Sequence, residues 1–441
     1  MTKYPRNFAG IFLFIEHTFD FWTRLDYNKR ERRSARLDRM ILHCDCNCFY
    51  ASVELLSHPE LAHLPVAVCG DPSSRHGIIL AKNEPAKAFG VKTAETIWQA
   101  RRKCPDLVLL PSHHDLYGVY SRKINEIYES YTDLVEPFGI DESWLDVTGT
   151  IHLFGGDPVA LADSLRRRIR EELGLTISVG VSFNKIFAKL GSDYRKPDAT
   201  TAITRDSFQS LVWPLPAGDL LYAGRAATKL LSQYGVHTIG DLATFDREAL
   251  SSLLGKQGDL LWRYANGLDD SPVLPSHIYT PPKSVGNGET FPKDLTTAAE
   301  LHRGVVLLAD NVAARLRKHG LKATTLQVTL RDPAFHDVCR QKPLPAPSCI
   351  ARELSDCAME LIQTTWKPGA PVRAITITAS NLIDQSEAVQ QLDLFGSSDD
   401  KRRDRLERLE RTVDGLRQKY GRDAVHSACE RPLPSNQKEK L

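Results

Sequence analysis

No apolar run in this 441-residue chain approaches the ~18 consecutive residues that a membrane-spanning helix needs. The short cluster Ile11-Phe12-Leu13-Phe14-Ile15 stops at Glu16, too soon for the core of a signal peptide. A disulfide framework is also lacking. The nine cysteines are odd in number and irregularly spaced along a large chain, as expected of reduced cytosolic thiols. Nor is there a large charge of one sign. The formal net charge is +2, so any phosphate-binding surface must be local. A soluble, cytoplasmic protein with no membrane association is expected. Its length exceeds what one core can serve and predicts roughly two to four folding units.

What the chain does have is an adjacent pair of carboxylates, Asp141-Glu142, within Pro137-Phe138-Gly139-Ile140-Asp141-Glu142-Ser143-Trp144-Leu145-Asp146. A third, Asp45, lies in the apolar strand Ile41-Leu42-His43-Cys44-Asp45-Cys46. Acidic groups forced together beside a sheet are costly unless cations neutralise them. Three carboxylates on neighbouring strands suit two divalent ions, roughly 3.5–4 Å apart, acting on a phosphoryl group. Mg²⁺ is the expected ion, because it favours carboxylates together with substrate phosphates. Cys44, Cys46 and Cys48 alternate in or beside the same strand. Their spacing is not that of a zinc site, and buried thiols are the expected role.

Apolar periodicity predicts a mixed order of strands and helices, an α+β layer with helices over one sheet. A strand over 40–48 is followed by a helix from Ala51, short strands near 64–69 and 77–81, and helices near 85–89 and 96–103. Tyr117, Tyr120, Ile124, Ile127, Tyr128, Tyr131 and Leu134 mark an amphipathic helix. Residues 135–147 read as a hairpin with Asp141-Glu142 at or near its turn. After Trp213-Pro214-Leu215-Pro216 come short helices punctuated by glycine, then a proline-rich linker. Residues 284–380 read strand, helix, strand, strand, helix, strand, with the middle strands near 324–330 and 334–340. This order fits a split βαβ unit. The charged segment 399–422 reads as a solvated helix or a disordered tail.

Several ordered motifs then converge: Asp45 with Phe49-Tyr50-Ala51-Ser52-Val53-Glu54, Ile140-Asp141-Glu142-Ser143-Trp144-Leu145-Asp146-Val147-Thr148, and Asn184-Lys185-x-x-Ala188-Lys189 with Arg195-Lys196-Pro197. From about Met40 to Phe395 the chain closely resembles the Y-family, translesion DNA polymerases, nearest the DinB type. The resemblance implies a right-hand polymerase of α+β class: a ferredoxin-like palm (40–48 and 113–204), small fingers (49–112), a helix-hairpin-helix-like thumb (205–271), a linker (272–282) and a βαββαβ little finger (283–386). A charged tail (387–441) follows. Residues 1–39 fall outside the resemblance and are expected to be a non-native upstream extension, with translation starting at Met40.

The resemblance also implies roles. Asp45 and Asp141 would bridge two Mg²⁺ ions, with Glu142 as the third catalytic carboxylate and the Cys46 carbonyl completing a coordination shell. Asp146 reads as structural. Tyr50 stands at the steric-gate position, where an aromatic ring excludes a ribose 2′-hydroxyl, and Phe49 beside it is the packing neighbour in the substrate site. Asn83-Glu84-Pro85-Ala86-Lys87 stands where the family often has Asn-Tyr-x-Ala-Arg, whose tyrosine and arginine contact the incoming triphosphate. Here Glu84 cannot donate a hydrogen bond while ionised, and Lys87 offers a point charge in place of a bidentate fork. Lys196 matches a lysine that contacts the triphosphate.

For Lys185 and Lys189, and for Arg315, Arg317, Lys318 and Lys322, a phosphate-facing and a solvated reading both stand. Gln391-Leu392-Asp393-Leu394-Phe395 resembles the peptide that binds the bacterial β sliding clamp, which would tether a weakly processive enzyme. The partners implied are primer–template DNA, deoxynucleoside triphosphates and that clamp, with the chain as a monomer. The activity implied is low-fidelity, template-directed DNA synthesis across damage, with no candidate proofreading domain. Competing readings are a non-catalytic clamp-bound scaffold, a palm-based nucleotide cyclase, and a UmuC-type subunit that needs accessory partners.

Overall fold

The computed structural model describes residues 38–71, 77–278, 281–387, 397–421 and 424–425. Most of the expected extension and the whole of Gln391–Phe395 lie outside these residues. Contacts divide the chain into two compact units: the first runs to Gly70 and from Ile78 to Ile278, and the second takes Asp71 and Gly77 with the described residues from 281 onward. Among the described residues no helix is long and apolar enough to cross a membrane.

The first unit opens with β1 (Ile41–Cys46) and α1 (Phe49–Leu55). Next come β2 (Val66–Cys69), β3 (Ile79–Lys82), α2 (Glu84–Ala88), α3 (Ile97–Lys103) and β4 (Val108–Pro111). They are followed by α4 (His114–Glu129), β5 (Val135–Pro137), β6 (Glu142–Asp146), α5 (Pro158–Leu173), β7 (Ile177–Ser182), α6 (Lys185–Tyr194) and β8 (Thr200–Ile203). The main sheet has the order β5-β6-β1-β7-β8, antiparallel except for β7 with β8. A small sheet, β3-β2-β4, carries α2 and α3.

All six residues of β1 are buried, because the strand is central and both of its faces are covered. Leu42, Cys44 and Cys46 pack in one core with Tyr117, Ile124 and Tyr128 of α4 and Leu165 and Ile169 of α5. Ile41 packs on the other side with Trp144 and Ala188. Strand alternation therefore turns His43 and Asp45 toward α6. That helix lies hard against the sheet: a Cβ at Gly180 would stand 1.8 Å from the Ala188 carbonyl oxygen and 2.4 Å from the Ser192 nitrogen. Asn184 caps α6, its side-chain oxygen accepting from the Phe187 N–H at 2.8 Å.

Short helices α7 (Phe208–Val212), α8 (Arg225–Ser232), α9 (Ile239–Thr244), α10 (Arg247–Leu254) and α11 (Lys256–Ala265) share a core with Phe183, Phe187 and Ile203. The start of the proline-rich stretch is anchored to this unit. Val273 is buried, the Leu274 N–H donates to Glu136 at 2.8 Å, and the Ser276 hydroxyl donates to Glu129 at 2.5 Å.

The second unit runs β9 (Ser284–Leu295), α12 (Ala298–Lys318), β10 (Leu321–Arg331), β11 (Asp337–Ser348), α13 (Ala351–Thr365), β12 (Val372–Asp384) and α14 (Ser397–Tyr420). Its antiparallel sheet has the order β11-β10-β12-β9, with its core between that sheet and the two helices α12 and α13. Two positions differ from expectation. The second middle strand is displaced to Asp337–Ser348 and passes through Pro343, Pro345 and Pro347. It is an edge strand, where missing N–H groups can face away from the ladder. The charged segment forms α14, which is neither disordered nor solvated all round. Arg403 pairs with Glu353 at 2.7 Å, Glu407 with Lys322 at 3.1 Å, Asp414 with Arg317 at 2.6 Å, and Arg417 with Asp310 at 2.6 Å.

Candidate active site

The antiparallel register sets Asp45 on β1 directly opposite Glu142, the first residue of β6. Asp141 precedes that strand, and its carbonyl accepts the Cys46 N–H at 3.0 Å, which fixes the turn against β1. The hairpin expected around this pair is present, and it brings Asp45, Asp141 and Glu142 to one pocket. Cys46 lines the same pocket.

Two lysines converge on the carboxylates. Lys189 Nζ lies 2.6 Å from Glu142 and 3.5 Å from Asp45. Lys196 Nζ lies 2.8 Å from both Asp45 and Asp193. Burial alone would lower the Lys196 pKa, but the Asp45 and Asp193 carboxylates raise it above its ordinary value. The same competition holds at Glu142. Burial raises its pKa, yet the adjacent His43 ring and the hydrogen bond from Lys189 bring the carboxyl down to about 2. Asp141 has little such help. Burial, and then the charges of Asp45 and Glu142, push it up to about 6.

His43 and Lys189 are the residues that sequence reasoning missed or left open. His43 is fully buried, with Nε2 at 3.3 Å from Glu142 and Nδ1 at 2.8 Å from the Ser192 hydroxyl. Its signal was available: two residues before Asp45 in a strand places it on the same face. Lys185 is different. It is buried, pairs with Glu136 at 2.7 Å, and sits over the Trp144 ring. Asp146 accepts the Thr148 N–H within its own turn, a local structural role.

The donor set suits a divalent cation. Oxygens of Asp45 and Glu142 and a nitrogen of His43 lie within 4.8 Å of one another. Asp141 adds a carboxyl whose charge is opposed by its neighbours, a cost that a cation relieves. The cysteines are not part of such a set. Cys44 and Cys46 are buried free thiols, and burial pushes the Cys44 thiol up to about 12.

Tyr50 flanks the carboxylates, and its phenol is close enough to Asp141 for that charge, after burial, to raise its pKa. The ring is held by stacking on Tyr117 with centroids 4.1 Å apart, and edge-on by His114. Phe49 is almost fully buried in the core, with one edge on the pocket. The opposite wall, from β3 and α2, supplies Lys82, Glu84 and Lys87 to the same cavity of about 400 Å³.

The impB/mucB/samB family model matches residues 44–193, and the model for the C-terminal domain of that family matches residues 282–394. The chain is 47% identical to DNA polymerase IV of Acetivibrio thermocellus, over 87% of its own length and 96% of that protein. It is 39% identical to DNA polymerase IV of Moorella thermoacetica, over 89% of its length and 96% of that protein. With DNA polymerase IV 1 of Bacillus subtilis the identity is 36%, over 89% and 93%. A chimaeric Y-family DNA polymerase shares the fold with a TM-score of 0.69 at 22% identity, covering 78% of this chain and 99% of that one. The chain belongs to the impB/mucB/samB family, the Y-family DNA polymerases of the DNA polymerase IV type.

Proposed function

We propose that this chain is a template-directed, low-fidelity DNA polymerase for translesion synthesis, with its chemistry at Asp45, Asp141 and Glu142. The observation that carries the reading is the strand pairing that sets Asp45 opposite Glu142, with Asp141 at the adjoining turn.

A divalent metal is the family's catalytic ion, and the residues present fit it. We assign two Mg²⁺ ions to Asp45, Asp141, Glu142 and the Cys46 carbonyl. When bound, they would lower the pKa of the primer 3′-hydroxyl and offset charge on the transferring phosphoryl group. The chain's own residues do the rest. Glu142 stays ionised through His43 and Lys189. Lys196, already drawn to Asp45, is placed to turn toward a phosphate. Tyr50, clamped by Tyr117 and His114, bars a 2′-hydroxyl.

The palm (40–48 and 113–204), fingers (49–112), thumb (205–271) and little finger (283–386) are proposed as the working parts, with the β sliding clamp taken up by Gln391–Phe395. The protein is proposed to act in the cytoplasm as a monomer.

The direct test is primer extension by the purified chain on a primed DNA template, with four deoxynucleotides and with or without Mg²⁺. Metal-dependent, template-directed extension is expected. No extension by folded, DNA-binding protein would overturn the reading.

A further inference from the structure

The active-site pocket is lined by four carboxylates (Asp45, Asp141, Glu142 and Glu84) and four lysines (Lys82, Lys87, Lys189 and Lys196), with no arginine among its lining residues. The lysines divide into two sets. Lys189 and Lys196 are engaged by Asp45, Glu142 and Asp193 at the end of the main sheet. Lys82 and Lys87 stand on the other wall, at the end of β3 and within α2.

Lys82 is the unusual member. It is partly buried, and its ammonium donates to a neutral group, the Thr93 hydroxyl, at 2.9 Å. It pairs with no carboxylate within 4.0 Å among the described residues. Burial first, and then the nearby Lys87 charge, lower its pKa against the pull of Glu84 and Glu95. A partly desolvated cation without a direct counter-ion, facing a cleft for phosphoryl transfer, is placed for an anion to approach.

Glu84 takes up the neighbouring charge. It accepts from Lys87 at 3.3 Å and from the Cys48 thiol at 3.4 Å. The Glu84–Lys87 pair is about half exposed on both sides, an exposed i,i+3 contact of little intrinsic strength and readily exchanged. Against the Asn-Tyr-x-Ala-Arg pattern, this wall has lost a hydroxyl donor and a guanidinium fork. In their place it carries two point charges, Lys82 and Lys87, around a carboxylate.

We propose that Lys82 is a triphosphate-binding residue of this polymerase, acting with Lys87, and that Glu84 is a counter-ion that weakens nucleotide binding until Lys87 leaves it. Lys82 needs no rearrangement of an ion pair, so it makes the first contact with the incoming phosphates. Lys87 follows by exchanging Glu84 for a phosphate oxygen. Glu84 then remains as an uncompensated negative charge beside the triphosphate, held by the Cys48 thiol. Affinity for deoxynucleotides is set by this balance, and the wall recognises phosphate charge, not base identity.

The inference rests on the polymerase reading, and its test separates the two. Full-length protein is bound to a primer–template ending in a dideoxynucleotide, and the matching deoxynucleoside triphosphate is titrated with Mg²⁺ by fluorescence. KM and kcat are read in parallel on an extendable primer. Lys82→Ala should raise Kd and KM for the nucleotide by about tenfold, the scale of one charged hydrogen bond. Its kcat and DNA affinity should stay within about twofold, and Lys82→Arg should restore most of the loss. Glu84→Gln should lower Kd. Thermal unfolding of Lys82→Ala confirms that it is folded. Unchanged Kd and KM in folded Lys82→Ala, or weaker binding in Glu84→Gln, would overturn the proposal. Absence of extension by the unmutated chain would instead overturn the polymerase reading.

Discussion

The Nε2 atom of His43 stands 3.3 Å from Glu142 Oε2 in a position closed to solvent, while the Ser192 hydroxyl holds Nδ1 from behind at 2.8 Å. Burial lowers the His43 pKa, which favours the neutral ring. In the tautomer that carries its proton on Nε2, the neutral ring directs that proton at the Glu142 carboxylate. His43 is thus a positioning residue that orients a catalytic carboxylate. His43→Ala should lower kcat by about tenfold or more, the scale of losing such a supporting contact, with little change in KM for the nucleotide. His43→Gln, whose amide can still donate, should recover part of it. A loss of kcat that merely follows the thermal midpoint in both variants would refute the positioning role.

Asp141 predicts a trade between stability and activity. Its folded pKa, about 6, lies above the ordinary 3.8. Its ionised form therefore costs folding free energy above pH 6, and the cost fades as pH falls toward 4. Asp141→Asn should raise the thermal midpoint in metal-free buffer at pH 8, with the difference from the unmutated chain shrinking to nothing near about pH 4. Mg²⁺ should stabilise the unmutated chain more than the variant, and the variant should incorporate no nucleotide at any pH. Thermal unfolding across this range, with and without Mg²⁺, checks the sign. A variant less stable at pH 8 would contradict it.

Tyr50 can be removed without opening the core, because its ring is only partly buried and leans on Tyr117. Tyr50→Ala should relax the preference for deoxynucleotides over ribonucleotides by roughly tenfold or more, since specificity here comes from a clash and not from a favourable contact. Deoxynucleotide incorporation should fall only modestly. Single-nucleotide kinetics with paired ribo- and deoxynucleotides measure the ratio. An unchanged ratio would remove Tyr50 from the gate.

The contrast between Asp45 and Lys189 marks what was legible in the sequence. A carboxylate in an apolar strand is conspicuous, and the adjacent pair Asp141-Glu142 beside a turn is equally plain. Lys189 was not distinguishable from a solvated lysine, because Lys185 and Lys189 form an ordinary i,i+4 pair on a helix. Its place beside Glu142 depends on α6 lying close on β7 at Gly180, a contact that no local pattern reports. β11 extends past the expected 334–340 for a related reason: a strand can run through Pro343, Pro345 and Pro347 only at a sheet edge, and that edge position is set by the fold. The charge density of α14 resembles that of a free tail. Only the fold supplies the buried arginine that orders it.

That arginine, Arg317, is nearly closed to solvent and holds Asp414 through two nitrogens at 2.6 and 3.0 Å, Glu410 through a third contact, and the Cys349 carbonyl at 2.8 Å. Glu410 in turn accepts the Ala351 N–H at the start of α13. Arg317→Ala would leave these two carboxylates facing a partly buried site with no cation. Loss of one partner of a buried pair costs about 3–5 kcal/mol. The chain has an escape, however: α14 can undock, and the penalty cannot exceed the free energy that docks it. Arg317→Ala and deletion of residues 397–441 should therefore lower the stability of the second unit by similar amounts. Combined, they should cost little more than either alone. Denaturant unfolding of the four proteins provides the cycle. Additive losses would mean that Arg317 serves the core of the second unit independently of α14, and that its pairing with Glu410 and Asp414 is incidental.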